Sequence, residues 1–319
     1  MKLNSSKNMF MLIMILSTLN SMNSNNWLTI WMSMEINMFM FLPMISSKKM
    51  KDQPMKYFII QSTSSSLILT SLLINSINQT SISQSTILLT SMMLKLGMSP
   101  LHSWVPTIMN KMSWNNCIIM MSLMKIPPMI MINQLLYFNM LMLPMMLSLI
   151  MGSLTGLKQT SLKKIMAYSS ISNSSWMMSS FMIKKSTTLT FMTIYTMMNM
   201  MIMMEFKKNN MMFLNQINYK SIKKKMNINL SMLSISGLPP TIGFFNKWMI
   251  LKEMMFMSMT MSIMMILTST ISMFFYMRIS SMYLLNSSSN NKTFKNIKMS
   301  SFITMNFMGF TLMFLIKSI

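Results

Sequence analysis

Long apolar runs recur along the whole chain and alternate with short polar segments that carry most of the lysines. An α-helix needs about 20 predominantly apolar residues to cross a bilayer, and each run is close to that length. The pattern therefore predicts an all-α polytopic membrane protein with about eleven transmembrane helices. The predicted spans are 9–25, 27–45, 57–77, 86–105, 114–133, 140–157, 164–183, 187–206, 228–257, 259–285 and 300–316.

Two of these spans are interrupted by glycine and proline. Gly97 and Pro100 interrupt the fourth span, and the sequence Ser-Gly-Leu-Pro-Pro at 236–240 interrupts the ninth. Proline removes a backbone donor, which frees carbonyl groups for water or an ion. Paired discontinuous helices are typical of inverted repeats around a site near the membrane midplane. The predicted organisation is a single membrane domain at 1–319, inverted-repeat halves at about 9–133 and 140–285, and a C-terminal helix at 300–316.

The lysines lie mostly in the loops, and their distribution is asymmetric. With eleven spans, most of them fall on the side of the membrane that holds the N-terminus, whereas the opposite side carries only Lys184, Lys185, Lys252 and Lys317. The positive-inside rule then places the N-terminus in the cytoplasm or the mitochondrial matrix. Although the net charge is +23, charges spread over separate loops do not form one basic stripe, so we expect no nucleic-acid partner.

Composition excludes several chemistries. The single cysteine, Cys117, rules out a disulfide framework and a thiolate-bound cluster. The sequence contains no Gly-rich phosphate loop, dinucleotide fingerprint, metal-ligand cluster or nucleophile triad. If the chain belongs to a redox enzyme, the electrons must therefore travel through other subunits.

Four ionisable side chains lie deep inside the apolar runs, namely Glu35, Lys95, Lys125 and Lys247. A lysine at the bilayer centre costs about 2.5–3.5 kcal/mol on insertion scales. A structural ion pair between helices would explain one such residue, but here three deep lysines face one deep acid. Because intramembrane ionisable groups are functional by default, we predict that these four side chains form a proton relay.

Within this relay, Glu35 is expected to tune Lys95, because burial favours the neutral amine whereas a nearby carboxylate favours the ammonium. Lys125 would be the next station, and Lys247 would be the station on the exit side. His102, the only histidine, lies seven residues after Lys95 and would share its helix face if the helix continued through the interruption. A lone histidine is also commonly a satisfied core residue, so both interpretations of His102 stay open.

Two weaker patterns concern the middle of the chain. Gly152 and Gly156 match a small-residue helix-packing signature, which ordinary close packing explains equally well. A polar run at 168–173, which includes Tyr168 and Asn173, is a candidate lining for a hydrated path.

Five motifs, in order along the chain, resemble one known family. They are WMSMEIN at 31–37, KLGMSPLHSWVP at 95–106, MKIPP at 124–128, LKQTSLKKIMAYSSI at 157–171 and SGLPPTIGFFNKW at 236–248. Their combination is similar to the mitochondrial NADH:ubiquinone oxidoreductase subunit 2 family, which comprises antiporter-like subunits of respiratory complex I. The resemblance extends from about Trp27 to Arg278.

The resemblance implies a proton-pumping subunit of the complex I membrane arm, multi-pass in the mitochondrial inner membrane, with its N-terminus in the matrix. The matching positions Glu35, Lys95, Lys125 and Lys247 are the family's proposed proton-channel residues, and His102 lies in its connecting axis. No cofactor and no metal are implied for this chain, since flavin, iron–sulfur clusters and ubiquinone reduction belong to partner subunits. The expected partners are other membrane-arm subunits and lipid, including cardiolipin, and no homo-oligomer is expected.

Some residues depart from the family pattern. Asn173 stands where the family usually has a second histidine, and an amide cannot titrate, so a relay through this position would have to use water. Leu101 and Ser103 replace the aromatic residues that usually flank His102, and Lys125 alone is kept from a Trp-Gln-Lys pattern.

Two other functions are compatible with the sequence. A subunit of a multisubunit cation/proton antiporter would share this architecture. A purely structural membrane-arm subunit would use the deep charges only to hold helices together.

Overall fold

The computed structural model describes residues 2–46, 52–78, 81–135, 138–216, 222–239 and 241–285. The predicted helix at 300–316 lies outside these described residues. The α-helices are α1 Lys2–Asn23, α2 Trp27–Ile45, α3 Asp52–Asn78, α4 Ser81–Leu96, α5 Trp104–Lys111, α6 Trp114–Met121, α7 Ile126–Leu135, α8 Phe138–Leu157, α9 Leu162–Ile183, α10 Lys185–Lys208, α11 Ile222–Ser236, α12 Ile242–Met257 and α13 Met259–Leu285.

The described part of the chain is helical throughout, with short 3₁₀ turns at Leu123–Lys125 and Leu214–Gln216 and one isolated antiparallel bridge between Ser161 and Phe213. The all-helical prediction is therefore confirmed for these residues. Among the residues that the structure describes, five segments are long and apolar enough to cross a membrane by length and composition. They are Trp27–Ile45, Asp52–Ile74, Trp114–Gln134, Asn139–Leu157 and Met259–Ser281.

The chain divides into two compact units, Met1–Ser148 and Leu149–Ile319. In the first unit α1 packs on α2, α3 packs on α4, and α7 contacts α2 and α4. In the second unit α9 packs on α10 and α12, while α11 and α12 pack on α13. Large apolar side chains fill much of the interior of each unit. They include Met14, Ile30, Phe41, Ile68 and Met92 in the first unit, and Trp176, Phe206, Ile228, Met261 and Tyr276 in the second.

Buried serines on α9 are accommodated by the helix itself. Ser169, Ser170 and Ser172 donate hydrogen bonds to the carbonyls of Met166, Ala167 and Ser169 at 2.8, 2.7 and 2.9 Å. A hydroxyl that bonds to its own backbone carries no unsatisfied donor, so it can lie in an apolar interior. Most of the predicted polar run at 168–173 is thus satisfied locally.

Two glycines of α8 allow close helix packing in the second unit. A Cβ on Gly152 would lie 2.7 Å from the backbone nitrogen of Ser172 on α9, which is too close for any real side chain. A Cβ on Gly156 would lie 3.3 Å from the Phe275 ring on α13. These glycines therefore contribute to helix packing.

The helices α4 and α11 end in the same way. At the end of α4, Gly97 has φ +66°, its N–H donates to the Leu94 carbonyl, and the Met98 N–H donates to the Met93 carbonyl. This pair of hydrogen bonds around a left-handed glycine defines the Schellman motif.

The end of α11 repeats this geometry around Gly237, whose φ is +83°. Its N–H donates to the Ser234 carbonyl at 3.2 Å, and the Leu238 N–H donates to the Leu233 carbonyl at 3.2 Å. In both places the chain resumes a helix a few residues later, at Trp104 and at Ile242.

Candidate functional site

Lys95 and Glu35 form an ion pair in the first unit. The Lys95 Nζ lies 3.3 Å from Glu35 Oε1, and the two side chains are only 3% and 16% exposed. Lys95 is the penultimate residue of α4, and Glu35 lies in the middle of α2. The sequence suggested this pairing, and the structure brings the two groups together. Its role in a relay stays a prediction.

The carbonyls at the end of α4 are bound by neutral donors. The Trp104 indole Nε1 donates to the Leu94 carbonyl at 3.1 Å, and the Gln61 Nε2 donates to the Lys95 carbonyl at 3.4 Å. Because the backbone is capped by these side chains, the Lys95 ammonium is left to Glu35. Tyr57 packs between Trp104 and Phe41, with ring centroids 6.1 and 5.4 Å apart, and so ties α5 to α3 and α2.

Lys125 lies at a third interruption, which the sequence analysis did not anticipate. The predicted span 114–133 corresponds to the apolar segment Trp114–Gln134, but it is not one continuous helix, because α6 ends at Met121 and a 3₁₀ turn, Leu123–Lys125, precedes α7. The physical reason is the pair Pro127 and Pro128, which lack the N–H groups that would bond to the carbonyls one turn earlier. Lys125 is buried, with 6% exposure.

His102 does not lie on a helix. The condition under which it would share a helix face with Lys95 is not met, because α4 ends at Leu96 and α5 begins at Trp104. The half-buried ring instead contacts the interruption itself, with Nδ1 3.1 Å from Ser99 Oγ and 3.2 Å from the Pro100 carbonyl oxygen. Proline at position 100 prevents helix continuation, so the i to i+7 relation has no meaning here.

Lys247, in the second unit, is bound differently from Lys95. The half-buried Lys247 Nζ donates to the Ser236 carbonyl at 2.8 Å, at the end of α11. The same nitrogen lies 5.8 Å from the centroid of the Trp176 ring. No sequence pattern indicates Trp176 or the Ser236 carbonyl as contacts of Lys247, because both contacts depend on how α9, α11 and α12 pack.

A small cavity of about 30 Å³ adjoins Lys247 within the second unit. Its polar lining includes Asn173, Ser234 and Asn246, and the Asn246 Nδ2 donates to the Phe191 carbonyl at 3.4 Å. Although much of the remaining lining is apolar, a space of this size has room for a water molecule, and these polar side chains offer it partners. Asn173, which stands where the resemblance leads one to expect a histidine, therefore faces a space next to Lys247 that can hold water.

The first unit places an ammonium beside a carboxylate, and the second unit places an ammonium beside amide and carbonyl groups. Within the described ranges, no group of three or more His, Cys, Asp or Glu side chains is arranged to hold a metal ion.

Comparison with known proteins identifies the class of the chain. Residues 24–272 match the family model described as NADH:quinone oxidoreductase/Mrp antiporter, transmembrane. The fold is similar to a chain of respiratory complex I from Thermus thermophilus, with a TM-score of 0.81 and 15% identity over 98% of this chain and 79% of that one. It is also similar to a chain of the Mrp complex from Dietzia, with a TM-score of 0.76 and 11% identity over 85% of this chain and 59% of that one.

Relatives in sequence narrow the class further. NADH-ubiquinone oxidoreductase chain 2 from Locusta migratoria is 36% identical over 313 residues, which cover 94% of this chain and 92% of the relative. The protein of the same name from Anopheles gambiae is 33% identical, over 91% of this chain and 90% of the relative. The chain belongs to the NADH:quinone oxidoreductase/Mrp antiporter family and, within it, to the NADH-ubiquinone oxidoreductase chain 2 group. The resemblance inferred from the motifs is thereby confirmed.

Proposed function

We propose that this chain is a core membrane-arm subunit of respiratory complex I that conducts protons across the inner mitochondrial membrane. NADH oxidation and quinone reduction take place in other subunits, which also carry the flavin and the iron–sulfur clusters. The observation that carries the proposal is the match to chain 2 proteins over nearly the whole length, at 33–36% identity.

The buried charges supply the relay. Glu35 and Lys95 lie 3.3 Å apart in a poorly solvated interior, where the interaction between charges depends strongly on distance. Movement of the Glu35 carboxylate relative to Lys95 therefore changes how strongly the ammonium is stabilised. Lys125 and, in the second unit, Lys247 receive and release the proton in turn, with water completing the steps near Asn173. His102 borders the first interruption, where its ring can accept and donate protons.

Membrane topology follows from the same proposal. We infer eleven spans, an N-terminus in the matrix, and inverted repeats in which α4 with α5, and α11 with α12, are the two discontinuous helices. The shared Schellman geometry around Gly97 and Gly237 supports corresponding positions in two repeats. The partners are other membrane-arm subunits and surrounding lipid, including cardiolipin, and the chain works as one copy per complex.

The test is NADH-driven proton pumping by the assembled complex in proteoliposomes. Lys125→Met should lower the number of protons pumped per electron while NADH oxidation in uncoupled vesicles persists, because a thioether cannot carry a proton. Lys111→Met, at the exposed end of α5, is the matched control and should pump normally. Normal pumping by Lys125→Met would refute its place in the relay.

Two alternatives make different predictions. A multisubunit cation/proton antiporter shares the fold, as the Dietzia comparison shows, but the chain would then purify without flavin and iron–sulfur subunits. If the buried charges were purely structural, Lys125→Met would reduce the amount of assembled complex but leave pumping per complex unchanged.

A further inference from the structure

The Lys247 ammonium is bound by neutral groups. The Ser236 carbonyl accepts a hydrogen bond from its Nζ at 2.8 Å, and the Trp176 ring centroid lies 5.8 Å away. Trp176 is buried, with 2% exposure, so its ring is fixed by the packing of α9. The distance falls within the roughly 6 Å range in which an ammonium is attracted by an aromatic face, and tryptophan gives the strongest such contact.

Gly237 leaves the space that the Lys247 side chain needs to reach these groups. A Cβ at this glycine would lie 3.0 Å from the Lys247 Cδ and 3.3 Å from its Nζ. The lysine side chain thus passes over the turn where a larger residue would meet it. Glycine at this position serves both the left-handed backbone and the path of the ammonium.

No carboxylate pairs with Lys247 among the residues that the structure describes. Of the acids in the second unit, Glu205 pairs with Lys208 at 3.1 Å, and Glu253 lies six residues beyond Lys247 on α12. The titratable group that lines the same cavity is the Tyr195 hydroxyl of α10. A half-buried ammonium still needs compensation, and an aromatic face with a helix-end carbonyl can supply it.

We propose that Trp176 is a positioning residue for proton transfer, whose ring stabilises the Lys247 ammonium in place of a carboxylate. This inference rests on the proposed function. A carboxylate partner would be left as an uncompensated buried charge when the lysine lost its proton. An aromatic ring carries no net charge, so the proton leaves Lys247 without stranding an anion. The Trp176 ring and the Ser236 carbonyl therefore stabilise the ammonium and still permit its deprotonation.

The experiment compares Trp176→Leu and Trp176→Phe with wild type, measuring protons pumped per electron by the assembled complex as a function of pH. Loss of a desolvated cation–π contact shifts a protonation equilibrium roughly tenfold. At neutral pH, Trp176→Leu should therefore lower the part of pumping that depends on Lys247 by at most about tenfold, because the protonated fraction of the lysine falls by no more than the equilibrium shifts. A decrease of about one pH unit should restore much of it, because a higher proton concentration offsets the weaker stabilisation of the ammonium. Trp176→Phe should retain more pumping, since it keeps an aromatic face.

Trp248→Leu is the matched control, because the half-buried Trp248 lies 6.0 Å from the Nζ of Lys252, an exposed lysine outside the proposed relay, and its loss should not affect pumping. Wild-type pumping in Trp176→Leu, or a loss that is equal in Trp176→Phe and independent of pH, would overturn the inference. If Trp176→Leu does not assemble, Trp176→Phe decides, with a twofold to threefold pH-sensitive loss expected and wild-type pumping as the contrary result. Normal pumping by Lys247→Met would instead refute the proposed relay.

Discussion

At the ends of α4 and α11 the chain makes the same turn around a left-handed glycine, yet the nearby lysine is bound differently. At the first turn, neutral side chains cap the freed carbonyls, and the Lys95 ammonium pairs with Glu35. At the second, the Lys247 ammonium itself caps the Ser236 carbonyl and lies near Trp176.

The difference concerns what each lysine can respond to. The state of Lys95 depends on a carboxylate, so any movement of α2 against α4 alters its electrostatic environment. The state of Lys247 depends on a helix end and an aromatic ring, which carry no net charge. In the proposed relay, the first arrangement suits control of proton uptake and the second suits proton release.

The largest expected effect comes from removing the acid at the first turn. Glu35→Ala leaves the Lys95 ammonium buried without its partner, which costs about 3–5 kcal/mol. We expect a strong decrease in assembled complex on native gels and in its thermal stability. Glu205→Ala serves as the control, because its partner Lys208 is 66% exposed and such pairs contribute between about 0 and 1 kcal/mol. Equal losses of assembled complex in Glu35→Ala and Glu205→Ala would contradict the claim that the buried ion pair contributes more stability than the exposed one.

The next largest effects are expected for alanine at the two glycines, and they should differ between the two turns. At Gly97 a Cβ would lie 2.2 Å from the Val105 Cγ2, so Gly97→Ala combines left-handed strain with a steric clash, at a cost of about 2–4 kcal/mol. At Gly237 the neighbouring atoms belong to the Lys247 side chain, which can move, so Gly237→Ala should cost only about 1–2 kcal/mol.

Function should show the reverse order for assembled complexes. Gly237→Ala displaces the Lys247 ammonium from the Ser236 carbonyl. It should therefore lower the number of protons pumped per electron more than Gly97→Ala does, although it destabilises the protein less. Unchanged pumping in Gly237→Ala would show that the position of this ammonium does not matter.

The smallest effect is expected at the neutral cap of the first turn. Trp104→Phe removes the indole N–H that donates to the Leu94 carbonyl and should cost about 0.5–1.5 kcal/mol in thermal unfolding. Pumping per electron should stay close to wild type, because Lys95 keeps Glu35. A loss of pumping as large as that of Lys125→Met would mean that the cap acts on the relay itself.

Much of the helical architecture could be predicted from the hydropathy pattern, because an apolar run of sufficient length has few alternatives to a helix. The interruption at Gly97 and the pairing of Lys95 with Glu35 also had local signals, namely a glycine–proline break and the single deep acid. The break before Pro127 was missed although its prolines are visible, because the surrounding run is long and apolar enough to be taken as one span.

Contacts that depend on packing between helices had no such signal. The position of Trp176 near Lys247 arises from the packing of α9 on α12, and no residue spacing along the chain encodes it. The same holds for Gln61, which reaches the Lys95 carbonyl from α3. The position of His102 off the helices has a local reason, because α4 ends at Leu96, before it.

The most direct test of the account removes both charges of the first pair together. In Glu35→Gln with Lys95→Met neither member of the pair is left as an unpaired charge, so the complex should assemble in near-normal amounts and oxidise NADH when uncoupled. The proposed relay predicts that the assembled variant pumps clearly fewer protons per electron than wild type. An assembled double variant with wild-type pumping would contradict it and would assign the pair to structure alone.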